Sequence, residues 1–482
     1  MLPTQTIAFT IGLLLSVIGI AELIPAAIDW ANDHDNAADF LRCALISIFF
    51  GGALLIANVN YEKKLSSRWV FLLTTLSWVF MSLFAAFPLY YSDLNISFAQ
   101  AFFESVSAIT TTGSTVLNGL DQMSHGVLFW RSFVQWIGGI GVIAFAIIFL
   151  PFLRIGGMQL FQAESSDRSE KIMSRSTNLI WALVIVYILI TVICAVTYWI
   201  LGMGWFDAAN HAMTTIPTGG FSTHDRSFGH FDSAALEYAA TFFMFLGGLP
   251  FVLYIQLLFK GRFMFFKDDQ FKAFVFLLAM LTFVLTCWLW DNSAYTLEQS
   301  FRYSIFNIVS VVTTTGYATS DYSLWGSFAV TLFLFMTYLG ACAGSTTGGL
   351  KVMRLVVVSK TLGRQFKTLI YPNGVFTIRY QGKPLDYSVC MAVLGFLSLY
   401  VFSNAILTVL LALTGLDFIT SISSAATALA NVGPGLGDIV GPAGNFSSLS
   451  ETAIWLLSAG MLLGRLEVLT VIILFRRSYW TS

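Results

Sequence analysis

The chain has 482 residues, 57% of them hydrophobic, 16% aromatic and only 11% charged, with a formal net charge of −1. Soluble domains carry about 25% charged residues, so a water-soluble fold is excluded. The near-neutral balance also gives no basic footprint for nucleic acid.

Cutting the chain at its charged residues leaves neutral runs at 1–21, 43–61, 69–92, 132–153, 176–206, 238–259, 273–290, 322–350 and 387–416, with 452–475 interrupted only by Arg465 and Glu467. As helix, each can cross a hydrocarbon core of ~30 Å, which takes ~20 residues. The first run has no basic leader and reads as a mature helix, not a signal peptide. Between these runs lie shorter neutral stretches at 105–120, 208–224, 303–320 and 418–437, each apolar at first and ending in Thr, Gly and sometimes Pro. If the short stretches dip into the membrane and return, 20 of the 25 Lys and Arg fall on one side; if they cross, 20 of them divide 9 against 11. The positive-inside bias favours the first arrangement. It gives ten crossings, four re-entrant segments and both termini in the cytoplasm. The cytoplasmic side then holds Lys63, Lys64, Arg154, Arg168 and Lys171, and seven cations between 351 and 383. The opposite face has fifteen carboxylates, Asp29 and Asp207 among them, against Arg42, Arg131, Arg226 and Arg302. That surplus is either ordinary loop charge or a funnel that concentrates cations at the outer mouth.

After the first two helices, the pattern helix, re-entrant segment, helix occurs four times. The re-entrant segments read FFESVSAITTTGST, FDAANHAMTTIPTGGFST, FRYSIFNIVSVVTTTGYAT and FITSISSAATALANVGPGLG, and align on Gly113, Gly220, Gly316 and Gly433. A second landmark follows 25, 27, 24 and 31 residues later, at Gly138–Gly139, Gly247–Gly248, Gly340–Ala341 and Gly464–Arg465. Alone, one TTTG is a helix end with a turn. Fourfold repetition implies equivalent segments converging on one axis. The boundaries are 1–66 for an N-terminal hairpin and 67–173, 174–268, 269–384 and 385–482 for the repeats, an all-α integral membrane fold around a pseudo-fourfold pore.

Extended backbone is tolerated at membrane depth only where protein buries it or where it lines a wet cavity. Glycine permits the dihedrals that turn carbonyl oxygens toward an axis, and adjacent threonines add hydroxyl oxygens. No acid lies within three residues before any of the four glycines, and neutral oxygens replacing a hydration shell suit a monovalent cation such as potassium. A short helix pointing its C-terminal end at the axis adds about half a negative charge.

Two features lie below this ring. The string GACAGSTTGG at 340–349 is either a small-residue ridge for helix packing or a break in the helix that obstructs the pore. Arg465 lies 14 residues beyond Glu451, about 21 Å along a helix, and so either pairs with a carboxylate such as Glu104 or Glu237 or faces the cavity. The five cysteines have no metal or redox spacing and read as buried small hydrophobes. His211, Asp207 and Asp225 lie close in sequence but without a nucleophile, so no catalytic set is assigned.

The strings TTTGST, PTGGFST, TTTGYAT and NVGPGLG, with the extra hairpin, resemble the Trk/Ktr/HKT superfamily of potassium transporters, and GACAGSTTGG followed by Lys351 is most similar to the bacterial TrkH/TrkG type. The resemblance covers essentially the whole chain. It implies potassium uptake across the bacterial inner membrane, with a filter of Thr111, Thr112, Gly113, Thr218, Gly219, Gly220, Thr314, Thr315, Gly316, Asn431, Val432 and Gly433. It implies a gate of Gly340, Gly344, Ser345, Thr346, Thr347, Gly348, Gly349, Lys351 and Arg465. It further implies a homodimer, a cytosolic TrkA-type nucleotide-binding regulatory ring as partner, potassium as the bound ion and no organic cofactor. Sodium or proton coupling and a less selective cation channel remain alternatives. The fourth segment, with no threonine beside Gly433, predicts a less regular site than four identical segments give.

Overall fold

Two long apolar helices open the fold, α1 (Thr4–Ala31) and α2 (Asn36–Ala57), packed closely through small residues: a Cβ on Gly51 would lie 2.6 Å from the Ser16 backbone nitrogen. The structure, a computed structural model, describes residues 4–60, 67–148 and 172–481. The boundary expected at 66/67 and the basic residues Lys63, Lys64, Arg154, Arg168 and Lys171 fall on or within segments outside the described residues.

The next three elements are α3 (Ser67–Tyr91), the short α4 (Phe98–Ile109) and α5 (His125–Ile148). The series recurs as α6 (Ile172–Ile200), α7 (Trp205–Thr215) and the pair α8 (Ala234–Gly247) and α9 (Phe251–Lys260). A third series is α10 (Asp269–Asn292), α11 (Leu297–Val312) and α12 (Ser327–Thr337), followed by an unwound segment and α13 (Val352–Ile370). A two-residue hairpin, β1 (Arg379–Tyr380) and β2 (Lys383–Pro384), precedes α14 (Tyr387–Ala412), α15 (Phe418–Ala430), α16 (Glu451–Arg465) and α17 (Val468–Ile472). Three of the four short helices begin at residues whose side chains satisfy the first free N–H groups, and α7 begins after Gly204 without a side-chain cap. Ser97 with Gln100, and Thr296 with Gln299, form reciprocal capping boxes, and Asp417 caps α15.

Among the described residues, seven helices are long and apolar enough to cross a membrane unbroken: α1, α2, α3, α5, α6, α10 and α14. Their outward faces carry large apolar side chains, as on α6, where Trp181, Ile185, Val192 and Trp199 are exposed. The three remaining neutral runs are broken; those at 238–259 and 452–475 did not predict it, whereas the glycine string within 322–350 had left a break open. α8 and α9 meet at 89° across Gly248–Pro250, and α16 turns through 108° into the segment Val468–Phe475. No helix spans the residues between Thr337 and Val352. The packing-ridge reading of GACAGSTTGG is therefore wrong, because its residues have left the helix. Cys43, Cys194, Cys342 and Cys390 are buried as expected, whereas Cys287 is exposed.

Candidate functional site

The four short helices α4, α7, α11 and α15 end close before the four aligned glycines, and the segments between share one backbone signature. Two residues before each glycine stands a non-glycine residue in the left-handed region: Thr111 at φ 52°, Thr218 at 54°, Thr314 at 55° and Asn431 at 55°. The glycines follow at φ 85°, 78°, 82° and 114° for Gly113, Gly220, Gly316 and Gly433. Asparagine is among the few side chains that occupy this region readily. This explains how ANVGPG, lacking a threonine there, keeps the same turn.

The segments meet in cyclic order. A Cβ built on Gly113 would lie 2.0 Å from Gly219 O, on Gly220 1.8 Å from Thr315 O, on Gly316 2.1 Å from Val432 O and on Gly433 2.9 Å from Thr112 O. Each glycine thus abuts the carbonyl just before the next glycine, and the ring closes on itself. The seam between the fourth and first segments is the loosest, and Gly433 has the most displaced φ. Side chains brace the ring: Gln135 Nε2 donates to Gly219 O at 2.8 Å, Ser114 Oγ to Gly433 O at 2.7 Å, and, within the ring, Asn431 Nδ2 to Thr112 Oγ1 at 2.9 Å. Beyond the ring lies a cavity of about 80 Å³ lined by all four glycines, Arg131 and His224.

The unwound segment packs directly against the other side of the ring. Thr346 Oγ1 accepts from Thr218 Oγ1 at 3.1 Å and itself lies 3.0 Å from Gly247 O, while Gly348 N donates to Thr314 Oγ1 at 2.8 Å. A Cβ on Gly348 would fall 2.1 Å from Ala430 O. Arg465 Nη2 donates to Thr111 Oγ1 at 2.5 Å and to Thr346 O at 2.7 Å. The segment therefore touches three repeats directly and the first through Arg465. It is tied as well to the break between α8 and α9, where Phe251 N donates to Gly344 O at 3.0 Å and Cys342 N to Gly248 O at 3.1 Å. A second cavity, of about 40 Å³, is lined by Gly344, Ser345, Thr347, Lys351, Arg465 and Glu467. Lys351 Nζ bonds Thr347 O and Thr347 Oγ1.

The protein-family comparison matches residues 37–481 to the TrkH model, described as a cation transport protein. The chain belongs to the TrkH family. A potassium uptake protein of the Trk system, TrkI of Halomonas elongata, is 43% identical over 475 residues, 98% of this chain and 96% of the relative. TrkH of Vibrio parahaemolyticus is 36% identical with 99% of both chains covered. The crystal structure titled potassium transporter TrkH from Vibrio parahaemolyticus superposes with a TM-score of 0.91 at 35% identity over 99% of each chain. The family is one of multi-pass membrane transporters, and this member is not an enzyme.

Within that frame the residues singled out in the sequence come together as two layers. Thr111, Thr112, Gly113, Thr218, Gly219, Gly220, Thr314, Thr315, Gly316, Asn431, Val432 and Gly433 form the ring, all of them buried or nearly so. Gly340, Gly344, Ser345, Thr346, Thr347, Gly348, Gly349, Lys351 and Arg465 form the layer against it. The suggested pairing of Arg465 with Glu104 or Glu237 is overturned. Glu104 holds Arg131 at 2.8 Å and Glu237 holds Arg302 at 2.9 Å. Among the described residues no carboxylate lies in ion-pair range of Arg465. Glu467 instead pairs with Arg354 of α13 at 2.6 Å, and the Arg354 guanidinium stacks 3.7 Å from the Phe396 ring.

The charge tally of the outer face also needs correction. Arg131 and Arg302 are buried braces rather than surface cations, and Asp29 is buried, accepting from Gly126 N at 2.6 Å. Sequence reasoning missed the Arg131–Glu104 brace, although a lone acid inside FFESVS and a lone cation inside an apolar run were its signal. It also missed Gln135, which nothing in its neighbourhood marks. At the rim of the cavity lined by the four glycines, His224 sits between Asp121 and Asp207. Burial pushes its imidazole down, but bonds to Asp207 and Asp121 outweigh this and hold its pKa above the ordinary value.

Proposed function

We propose that this chain takes up potassium across the bacterial inner membrane through the axis of the glycine ring, with the segment 340–349 and Arg465 as its gate. The observation that carries the reading is the closed cycle of four segments, each pairing a left-handed residue with a glycine against its neighbour's carbonyl. Such a ring offers neutral oxygens to a cation on the axis and no carboxylate, which suits a weakly hydrated monovalent ion. The short helices end at the ring and add negative potential there. Support for potassium comes from the relatives, whose names give potassium uptake as their activity.

Closure follows from position and charge. The unwound segment fills the space beneath the ring, and Arg465 places a guanidinium within hydrogen-bond distance of Thr111, where it repels an ion leaving the ring. Opening requires the segment to withdraw with its bonds to Arg465, Thr218 and Thr314 broken. α13 begins three residues past Gly349 and carries Arg364 and Lys367 on its exposed part. These cations suit docking of an acidic surface on a TrkA-type cytosolic ring, whose movement would pull the segment. On this reading the basic side and both termini face the cytoplasm, two copies assemble as a homodimer, and the chain divides into the hairpin 1–66 and the repeats 67–173, 174–268, 269–384 and 385–482.

The test is cation uptake into liposomes holding the purified protein, with potassium, rubidium and sodium compared. Potassium and rubidium entering well ahead of sodium supports the reading; equal entry of all three refutes it.

A further inference from the structure

The outer rim carries a side-chain cluster that the permeation reading does not use. Asp121 follows the first ring segment, and His224 and His230 follow the second. One nitrogen or oxygen from each of the three lies within 4.8 Å of the others. His224 Nδ1 contacts Asp121 Oδ1, and His230 Nδ1 lies 3.9 Å from the same oxygen. On its other side His224 Nε2 faces Asp207 Oδ1 at 3.5 Å. Asp207 is itself held by Thr223 Oγ1 at 2.6 Å.

We propose that His224, His230 and Asp121 bind a zinc-class divalent cation at the rim of the outer vestibule, and that the bound ion slows cation entry. Two imidazoles and one carboxylate form a ligand set favoured by zinc, nickel or copper, whereas calcium and magnesium prefer oxygen donors alone. The far-side carboxylate is an independent sign. An imidazole that ligates through one nitrogen commonly donates its other N–H to a carboxylate, which fixes the tautomer and the ring's orientation. Asp207 stands where it can do this for His224, so that Nδ1, now in contact with Asp121 Oδ1, is the nitrogen presented to an ion that enters between the two.

The scaffold is held in place. Asp225 accepts from Gly119 N and Leu120 N at 3.0 and 3.1 Å, and Asp225 N donates to Asp121 Oδ2 at 3.3 Å, which leaves Oδ1 toward the imidazoles. The two rings stack face to face, with centroids 3.5 Å apart and planes 2° from parallel. A metal lies in the plane of each ligating ring, so binding breaks this stack. The His224 side chain, 16% exposed and held between two carboxylates, stays in place, and it is His230, 42% exposed, that has room to swing. His224 also lines the vestibule above the four glycines. A double positive charge there opposes an arriving monovalent cation; this half of the proposal rests on the vestibule being the ion's entrance.

The binding experiment is independent of transport: zinc chloride titrated calorimetrically into the purified full chain, with cobalt(II) absorption as the sign of nitrogen coordination. One saturable zinc per chain is expected, not displaced by excess magnesium, lost in His230→Ala and in Asp121→Asn, and weakened about 10–100-fold in Asp207→Asn. No saturable binding, or binding that survives both ligand variants, overturns the site. In liposomes, external zinc should slow rubidium uptake relative to each variant's own zinc-free rate, and His230→Ala should abolish the slowing. Zinc bound without slowing overturns the second half of the proposal and the vestibule as the entrance, while leaving the site standing.

Discussion

Replacing Arg465 with Ala is the sharpest perturbation of the proposed gate. Two terms favour closure in the native chain. The hydrogen bond from Arg465 Nη2 to Thr346 O, at 2.7 Å, ties the unwound segment in place. A bond from a charged donor is worth about 1.5–3 kcal/mol, so its loss moves the ratio of withdrawn to seated segment by about 10- to 150-fold. The second term is repulsion. The guanidinium bonds Thr111 Oγ1 at 2.5 Å, and an ion coordinated by that oxygen sits roughly 5 Å from the charge. At an effective dielectric constant near 20, two like charges at that separation repel by about 3 kcal/mol. Both terms vanish in Arg465→Ala, whereas Arg465→Lys keeps the charge and loses the planar fork. Rubidium uptake into liposomes without any regulatory partner should rise by at least about tenfold for Ala and less for Lys. Lowered uptake in an Ala variant that elutes and melts like the native protein would refute the clamp.

Deleting Ala343–Thr347 removes the segment's bonds to Gly247, Thr218 and Arg465 and should also raise partner-free rubidium uptake; a fall would assign the segment to conduction or packing. Glu467→Gln removes the charge that faces the fully buried Arg354 at 2.6 Å and should cost up to about 3–5 kcal/mol of stability, read as a lowered melting temperature in detergent. The paired change Arg354→Met with Glu467→Leu should recover much of that loss, and an unchanged melting temperature in the single variant contradicts the pair's importance. Reversing the charge of Arg364 and Lys367 should abolish capture of the purified TrkA-type ring on immobilised protein; capture at native strength would place docking elsewhere.

The repeat was legible because its constraint is local and stereochemical. A glycine at the same offset in four segments marks four positive-φ positions, and the structure brings those glycines into one ring. The unwound segment was half legible: four glycines in GACAGSTTGG argued for a break, yet their spacing of four argued equally for a packed helix. What decides it is tertiary, namely the hydrogen bonds offered by Thr218, Thr314, Gly247 and Gln270 to the freed backbone and hydroxyls. The sharp turns after Gly247 and Arg465 were not legible, because an apolar run reads alike whether straight or bent. Pro250 marks one break, and Glu467, at φ 60°, marks the other only once Arg354 is seen opposite it. Buried ion pairs between helices distant in sequence leave the same faint trace, a single charge in an apolar run. For that reason Arg131 and Arg302 were counted on the surface although they brace short helices.

The ring's role as the selective element is tested most directly by the potassium-to-sodium permeability ratio of Gly113→Ser, measured beside the native protein in the same bilayers. Gly113 sits at φ 85° with Gly219 O 2.0 Å from where a Cβ would be, so a side chain must push the first and second segments apart and turn their carbonyls. A well-folded variant with a markedly lower ratio is the predicted result. An unchanged ratio at native flux would contradict the assignment of the ring as the filter.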